Sequence, residues 1–164
     1  MIRVAILCLV LLTLSGCGLS PMYAGGGSGS VARGFAGVEV PAIPGRAGWL
    51  MRTALVDRLG AAGEGTPRYR LDVQLDDDLE ALGVLNDDTI SRERRILRAR
   101  YQLVDIASGD ILLDATAGYD AGIDVVSSEY ATIAAEQTAL ENLSNEIADR
   151  IVTELSLALR SGQQ

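Results

Sequence analysis

Histidine and lysine are both missing from the 164 residues, and tryptophan and phenylalanine occur once each. Without histidine no Ser-His-Asp or Cys-His arrangement can be assembled. Zinc sites built on imidazole are closed as well. No nucleophile motif replaces them, so the chain is expected to be no enzyme and to need no cofactor. Without lysine every basic side chain is an arginine, 14 in all against 22 acids, for a net charge of −8. A chain this acidic is a poor partner for nucleic acid. Cysteine occurs only at Cys8 and Cys17.

The longest N-terminal apolar run, Val4 to Leu14, is 11 residues. A membrane-spanning helix needs about 20. With Arg3 before it and small residues after it, the run reads as a removed signal peptide. Leu14-Ser15-Gly16-Cys17 at its end has the pattern of a bacterial lipoprotein processing site. The expected peptidase cut is before Cys17, whose thiol carries a diacylglyceryl group. A thiolate is the natural nucleophile for that transfer, and two or more chains are what stable anchoring requires. An ordinary signal peptide with a chance cysteine is the alternative. Gly18 follows Cys17, where inner-membrane retention commonly uses aspartate, so the outer membrane is the expected address, with the protein facing the periplasm.

Removing residues 1–16 leaves 148 residues with Cys17 as their one cysteine. No internal disulfide can form, and folding must rest on packing. Residues 17–34 read as a lipidated tether, rich in glycine and serine through Gly25-Gly26-Gly27-Ser28-Gly29-Ser30. Residues 35–164 are expected to form a single α+β domain.

Phe35 to Ile43 alternates as a short strand ended by Pro41 and Pro44. A helix is expected over about 46–60, with Leu50, Met51, Ala54, Leu55 and Leu59 on one face and Gly60 and Gly63 as stops. Trp49 is expected to pack, with an interfacial or partner contact as its alternative. Arg68 to about Leu79 reads as a strand with Tyr69, Leu71, Val73 and Leu75 on one side. Asp76-Asp77-Asp78 with Glu80 reads as a solvated strand end. A Ca²⁺ loop would need a glycine that is not there, and no metal site is expected. Asn86-Asp87-Asp88 reads as a turn.

Ser91 to Asp105 is the most informative strand. Leu97, Ala99, Tyr101 and Leu103 share one face, and Arg92, Arg94, Arg98 and Arg100 share the other. These four arginines are either cross-strand partners for Asp72, Asp76 and their neighbours or a cationic stripe for phosphate or carboxylate groups. Ala107-Ser108-Gly109-Asp110 predicts a hairpin turn. Ile111 to Ala121 then alternates, with Ile111, Leu113, Ala115, Ala117 and Tyr119 inward. Ser127 or Ser128 caps a last helix running to about Leu159. Its stripe is Ile133, Leu140, Leu143, Ile147, Ile151 and Leu155. The order β-α-β-β-β-α predicts an α+β fold, two helices packed on one face of a mostly antiparallel four-stranded sheet.

Three stretches together resemble one family. They are Gly16-Cys17-Gly18 with Pro21-Met22-Tyr23, Arg98-Ala99-Arg100-Tyr101-Gln102-Leu103-Val104-Asp105 before the Ser108-Gly109-Asp110 turn, and Ser128-Glu129-Tyr130-Ala131. With the element order they resemble the LPS-assembly lipoprotein family, LptE, in its alphaproteobacterial form. The resemblance implies a lipoprotein on the inner leaflet of the outer membrane that plugs the lumen of the LptD β-barrel. It also implies help in assembling that barrel and binding of lipopolysaccharide. Only Cys17 carries over as a family site residue. An accessory lipoprotein of another lipid-transport or barrel-assembly system is the competing reading.

Overall fold

The computed structural model describes residues 35, 37–60, 66–84 and 90–161. Cys17, the tether, Gly63 and the Asn86-Asp87-Asp88 turn lie outside the described residues.

Strand β1 is Val38–Glu39, helix α1 is Gly45–Leu59, and strands β2, β3 and β4 are Tyr69–Val84, Ile90–Asp105 and Ile111–Asp124. Helix α2, Glu129–Ser161, closes the chain. The sheet order is β1-β2-β3-β4. β1 runs parallel to β2, and the other neighbours are antiparallel. This is the expected α+β order.

β1 is shorter than Phe35 to Ile43. Val38 pairs with Tyr69 and Glu39 with Arg70. Pro67 precedes β2 at one end of this ladder and Pro41 follows β1 at the other, and neither has an N–H to extend it. β2 is longer than expected and runs on through Val84. The Asp76–Glu80 run is therefore not a strand end but the middle of a strand, facing Arg98 to Arg94 of β3.

The two layers have matched lengths. α2, at 33 residues, is about 50 Å long at 1.5 Å per residue. β2 and β3, at 16 residues each, span about 50 Å at 3.3 Å per residue. Leu71, Leu97, Ala99, Tyr101, Leu103 and Ala117 face the helices from the sheet. Leu140, Leu143, Ile147, Ile151 and Leu155 meet them from α2, and Met51, Leu55 and Leu59 from α1.

Four expected core positions lie outside it. Trp49 is 66% exposed on the outer side of α1. Only one stripe of that helix faces α2, and Met51, Ala54 and Leu55 fill it. Ile133 is exposed because the first turns of α2 run past the region that α1 covers. Tyr119 is exposed because β4 is the sheet edge, and Ile111 because a register shift pairs it with Val104 and takes it off the inward-facing alternation.

The turns match their residues. Gly60 ends α1 in the left-handed region (φ 59°), its N–H donating to the Val56 carbonyl. Gly109 takes φ 78° in the β3–β4 turn, and its N–H donates to the Asp105 carbonyl at 2.8 Å. At the start of α2, Ser128 sits at the cap position. Its carbonyl accepts from the Ala131 and Thr132 N–H groups, while the Thr132 hydroxyl accepts from the Val126 N–H.

Polar ties fix α2 to both its neighbours. The Arg58 Nε donates to Asp149 at 2.6 Å, joining α1 to α2. The Tyr101 hydroxyl, on a wholly buried side chain, donates to Glu154 at 2.5 Å, joining β3 to α2. Burial first, and the Glu154 carboxylate second, push the Tyr101 phenol far above its usual pKa, so it stays a donor. Glu154 also accepts from Arg150 at 2.6 Å. Tyr101→Phe should lower stability by about 1.5–3 kcal/mol, the range for a hydrogen bond to a charged group. Urea unfolding measures this, and an unchanged midpoint would contradict the assigned tie.

Candidate functional site

The face of the sheet turned away from the helices is built by alternation. Even-numbered residues of β2 and β3 point to it wherever odd-numbered ones point to the core. Arg92, Arg94, Arg98 and Arg100 therefore stand in one row on β3. β2 flanks that row with Arg70, Asp72, Gln74, Asp76, Asp78 and Glu80, and β4 flanks it with Asp114, Thr116, Asp120 and Asp124. Five arginines (70, 92, 94, 98 and 100) face seven carboxylates (72, 76, 78, 80, 114, 120 and 124). The open face is densely charged but slightly acidic in sum.

Most of the row is paired across strands. Arg92 meets Asp124 at 3.1 Å, Arg94 meets Glu80 at 2.6 Å, and Arg100 meets Asp114 at 3.0 Å. Arg70 grips Asp72, two residues along its own strand, at 2.9 Å. Each such exposed pair contributes little to stability, because water and salt screen it. Their combined effect is on register, since a one-residue slip would turn every charge into the core. Arg98 makes no ion pair within 4 Å among the described residues, although Asp76 is its register neighbour.

β4 makes room for the row with glycines. Gly122 lies opposite Arg94 and Gly118 opposite Arg98. A Cβ at Gly118 would come within 3.1 Å of the Arg98 Cγ, so this stem lies across the glycine. Farther along, Asp72, Gln74, Arg100 and Gln102 surround a shallow depression of about 150 Å³.

The fifth arginine of the 92–100 stretch behaves differently. Arg95 is odd-numbered and lies on the helix side. It meets Asp77 at 2.7 Å, and its Nη1 donates to the Glu136 carbonyl of α2. This half-buried bridge replaces apolar packing where the core thins toward the start of α2. The Asp76-Asp77-Asp78 run thus splits by parity. Asp77 serves the helix side, and Asp76 and Asp78 serve the open face. Strand alternation already leaves Arg95 out of the expected row, and the same alternation was the signal that could have set Asp77 apart from Asp76 and Asp78. Among the described residues, no group of three or more carboxylates or thiols converges as a metal site would need.

The electrostatics are those of paired charges. Hydrogen bonds to Asp72, Glu80, Asp77 and Asp114 raise Arg70, Arg94, Arg95 and Arg100 further above their ordinary values. Arg100 first, and Gln102 second, hold the Asp114 carboxyl below the usual carboxylate range. A carboxyl depressed on folding stabilises the fold above its unfolded pKa, and that contribution is lost as pH falls through the folded value. An NMR titration should place the Asp114 midpoint below that of a free aspartate. Arg100→Gln should move it up, and an unmoved midpoint would contradict the pairing.

The fold has known relatives. The chain is similar to a candidate lipoprotein from Caulobacter crescentus at 26% identity, covering 83% of this chain and 98% of that one, with a TM-score of 0.69. Rare lipoprotein B from Shewanella oneidensis shares the fold at 9% identity, with 77% and 97% covered and a TM-score of 0.60. A minor lipoprotein from Acinetobacter baumannii does so at 18% identity, with 73% and 88% covered and a TM-score of 0.57. Comparison with curated proteins gives no match. The family profile described as LptE, lipopolysaccharide-assembly, matches residues 35–155. With the match covering α1, all four strands and α2 as far as Leu155, the chain belongs to the LptE family of lipopolysaccharide-assembly proteins.

Proposed function

We propose that this protein is an outer-membrane lipoprotein, anchored by lipid on Cys17, that plugs an LptD-type β-barrel and assists its assembly. It faces the periplasm and takes part in moving lipopolysaccharide through the barrel. The observation that carries this reading is the open sheet face. A β-barrel lumen is polar and wet, and a plug for it needs a wall of hydrogen-bonding, charge-balanced groups. The face has rows of arginine, carboxylate, glutamine and threonine on a rigid three-stranded platform, with its own charges largely neutralised in pairs.

Lipopolysaccharide contact falls to the arginine row. Arg98 is the first candidate, because no carboxylate holds it within 4 Å among the described residues. Arg92, Arg94 and Arg100 would exchange an internal carboxylate for a lipid A phosphate, which a guanidinium fork fits as well. The exchange is favoured where the surroundings are less polar than bulk water and charge pairs are stronger.

Two experiments address the two parts of the proposal. Pull-down from detergent-solubilised envelopes should recover a large β-barrel in stable complex with the protein. Recovery of another envelope complex in its place would overturn the barrel assignment. Reversing Arg94, Arg98 and Arg100 to glutamate should weaken lipopolysaccharide binding several-fold while circular dichroism keeps the folded signature. Unchanged binding by the folded triple variant would remove the row from the ligand site.

A further inference from the structure

The charged face ends abruptly at the β3–β4 turn, and what replaces charge there is apolar. Ile106, Ile111 and Leu112 are 44%, 55% and 48% exposed. The register explains how they come together. Leu103 pairs with Leu113 but Val104 pairs with Ile111, so Leu112 is the extra residue of a β-bulge. A bulge sets two residues against one and re-aims their side chains. Ile111 and Leu112 thus crowd beside Val104, which is nearly buried, and Ile106 follows two residues on.

This tip is also the end where the chain bearing Cys17 joins the domain. The Gly37 carbonyl accepts from the Arg68 and Tyr69 N–H groups at 2.9 Å, and the Arg68 carbonyl accepts from Ile106 at 3.0 Å. Gly37, Arg68 and Ile106 therefore form one row across the sheet. The opposite end, where Arg92 meets Asp124, is about 40 Å away at 3.3 Å per strand residue.

We propose that the β3–β4 tip rests in the interfacial layer of the phospholipid bilayer that holds the lipid anchor, with Ile106, Ile111 and Leu112 inserted among the upper acyl carbons. The inference rests on the reading of Cys17 as lipidated. Lipid suits the tip better than a barrel lumen does, because the lumen is polar and these three side chains are not. The flanking charges suit a zwitterionic headgroup layer. Arg68, 3.7 Å from the Asp105 carboxylate but with 70% of its side chain exposed, stands on one side and the exposed Asp110 on the other. Asp105 is turned inward, accepting from the Ala107 N–H at 2.9 Å. Insertion of a few ångströms matches the depth at which interfacial segments sit.

The test uses the lipidated mature protein in vesicles of phosphatidylethanolamine and phosphatidylglycerol. Its Cys17 thiol is capped by lipid, so one new cysteine can be labelled with a polarity-sensitive fluorophore. Leu112→Cys reports on the tip, Ile106→Cys repeats the measurement at a second tip position, and Tyr130→Cys reports on the far end. Both tip probes should be blue-shifted, quenched by nitroxide-labelled phospholipid, and several-fold less accessible to iodide than the Tyr130 probe. Anchored protein whose tip probes match the Tyr130 probe would overturn the proposal. Tip probes shielded from iodide but untouched by lipid nitroxide would also overturn it, pointing to a second copy of the chain. Protein recovered without lipid on Cys17 would overturn the anchor reading, and with it the reason to seat the tip on a bilayer.

Discussion

The one-sided burial of β3 is the constraint on which the rest depends. Leu97, Ala99, Tyr101 and Leu103 are wholly buried beneath α2. Each is separated from the next by a polar residue that must then face the other way. Moving the strand by one residue would bring Arg98 and Arg100 into the core and leave Tyr101 without Glu154. The apolar row fixes the register, and the register fixes the arginine row. The charged face is thus the necessary reverse side of the core.

Arginine paired with carboxylate on an open sheet face contributes little to stability, since exposed ion pairs are weak. Its consequence is chemical character. The face is rich in donors and acceptors, poor in apolar surface and close to charge balance, which limits nonspecific attraction to polyanions. At the β3–β4 end this pattern gives way to a small apolar tip. The molecule is therefore polarised along its long axis as well as across its two layers.

Much of this was legible in the residues. The strict alternation of β3 and the helical stripe of α2 gave element order, layer count and the membership of the arginine row. Other features depended on partners that local pattern does not reveal. The reach of β2 beyond Leu79 is set by pairing with β3, so the acidic run proved to be mid-strand. The two-residue length of β1 follows from Pro41 at one end and, at the other, from Pro67, which is distant in sequence but adjacent in space. Trp49 looked like core because tryptophan usually is, yet α1 offers only a narrow stripe to α2. The pairing of Arg94 with Glu80 and Arg100 with Asp114, against Arg98, which has no ion pair among the described residues, depends on side-chain reach that spacing alone leaves undetermined.

The central claim is that the open face is the surface a β-barrel lumen encloses. Carbodiimide labelling of carboxylates, read by mass spectrometry, tests it most directly in native envelopes against the protein released from them. The account predicts that Asp114, Asp120 and Asp124 are labelled readily in the released protein and shielded in the envelope, while Glu129 and Glu141 on the exposed side of α2 change less. Equal labelling of Asp114, Asp120 and Asp124 in both states would contradict it.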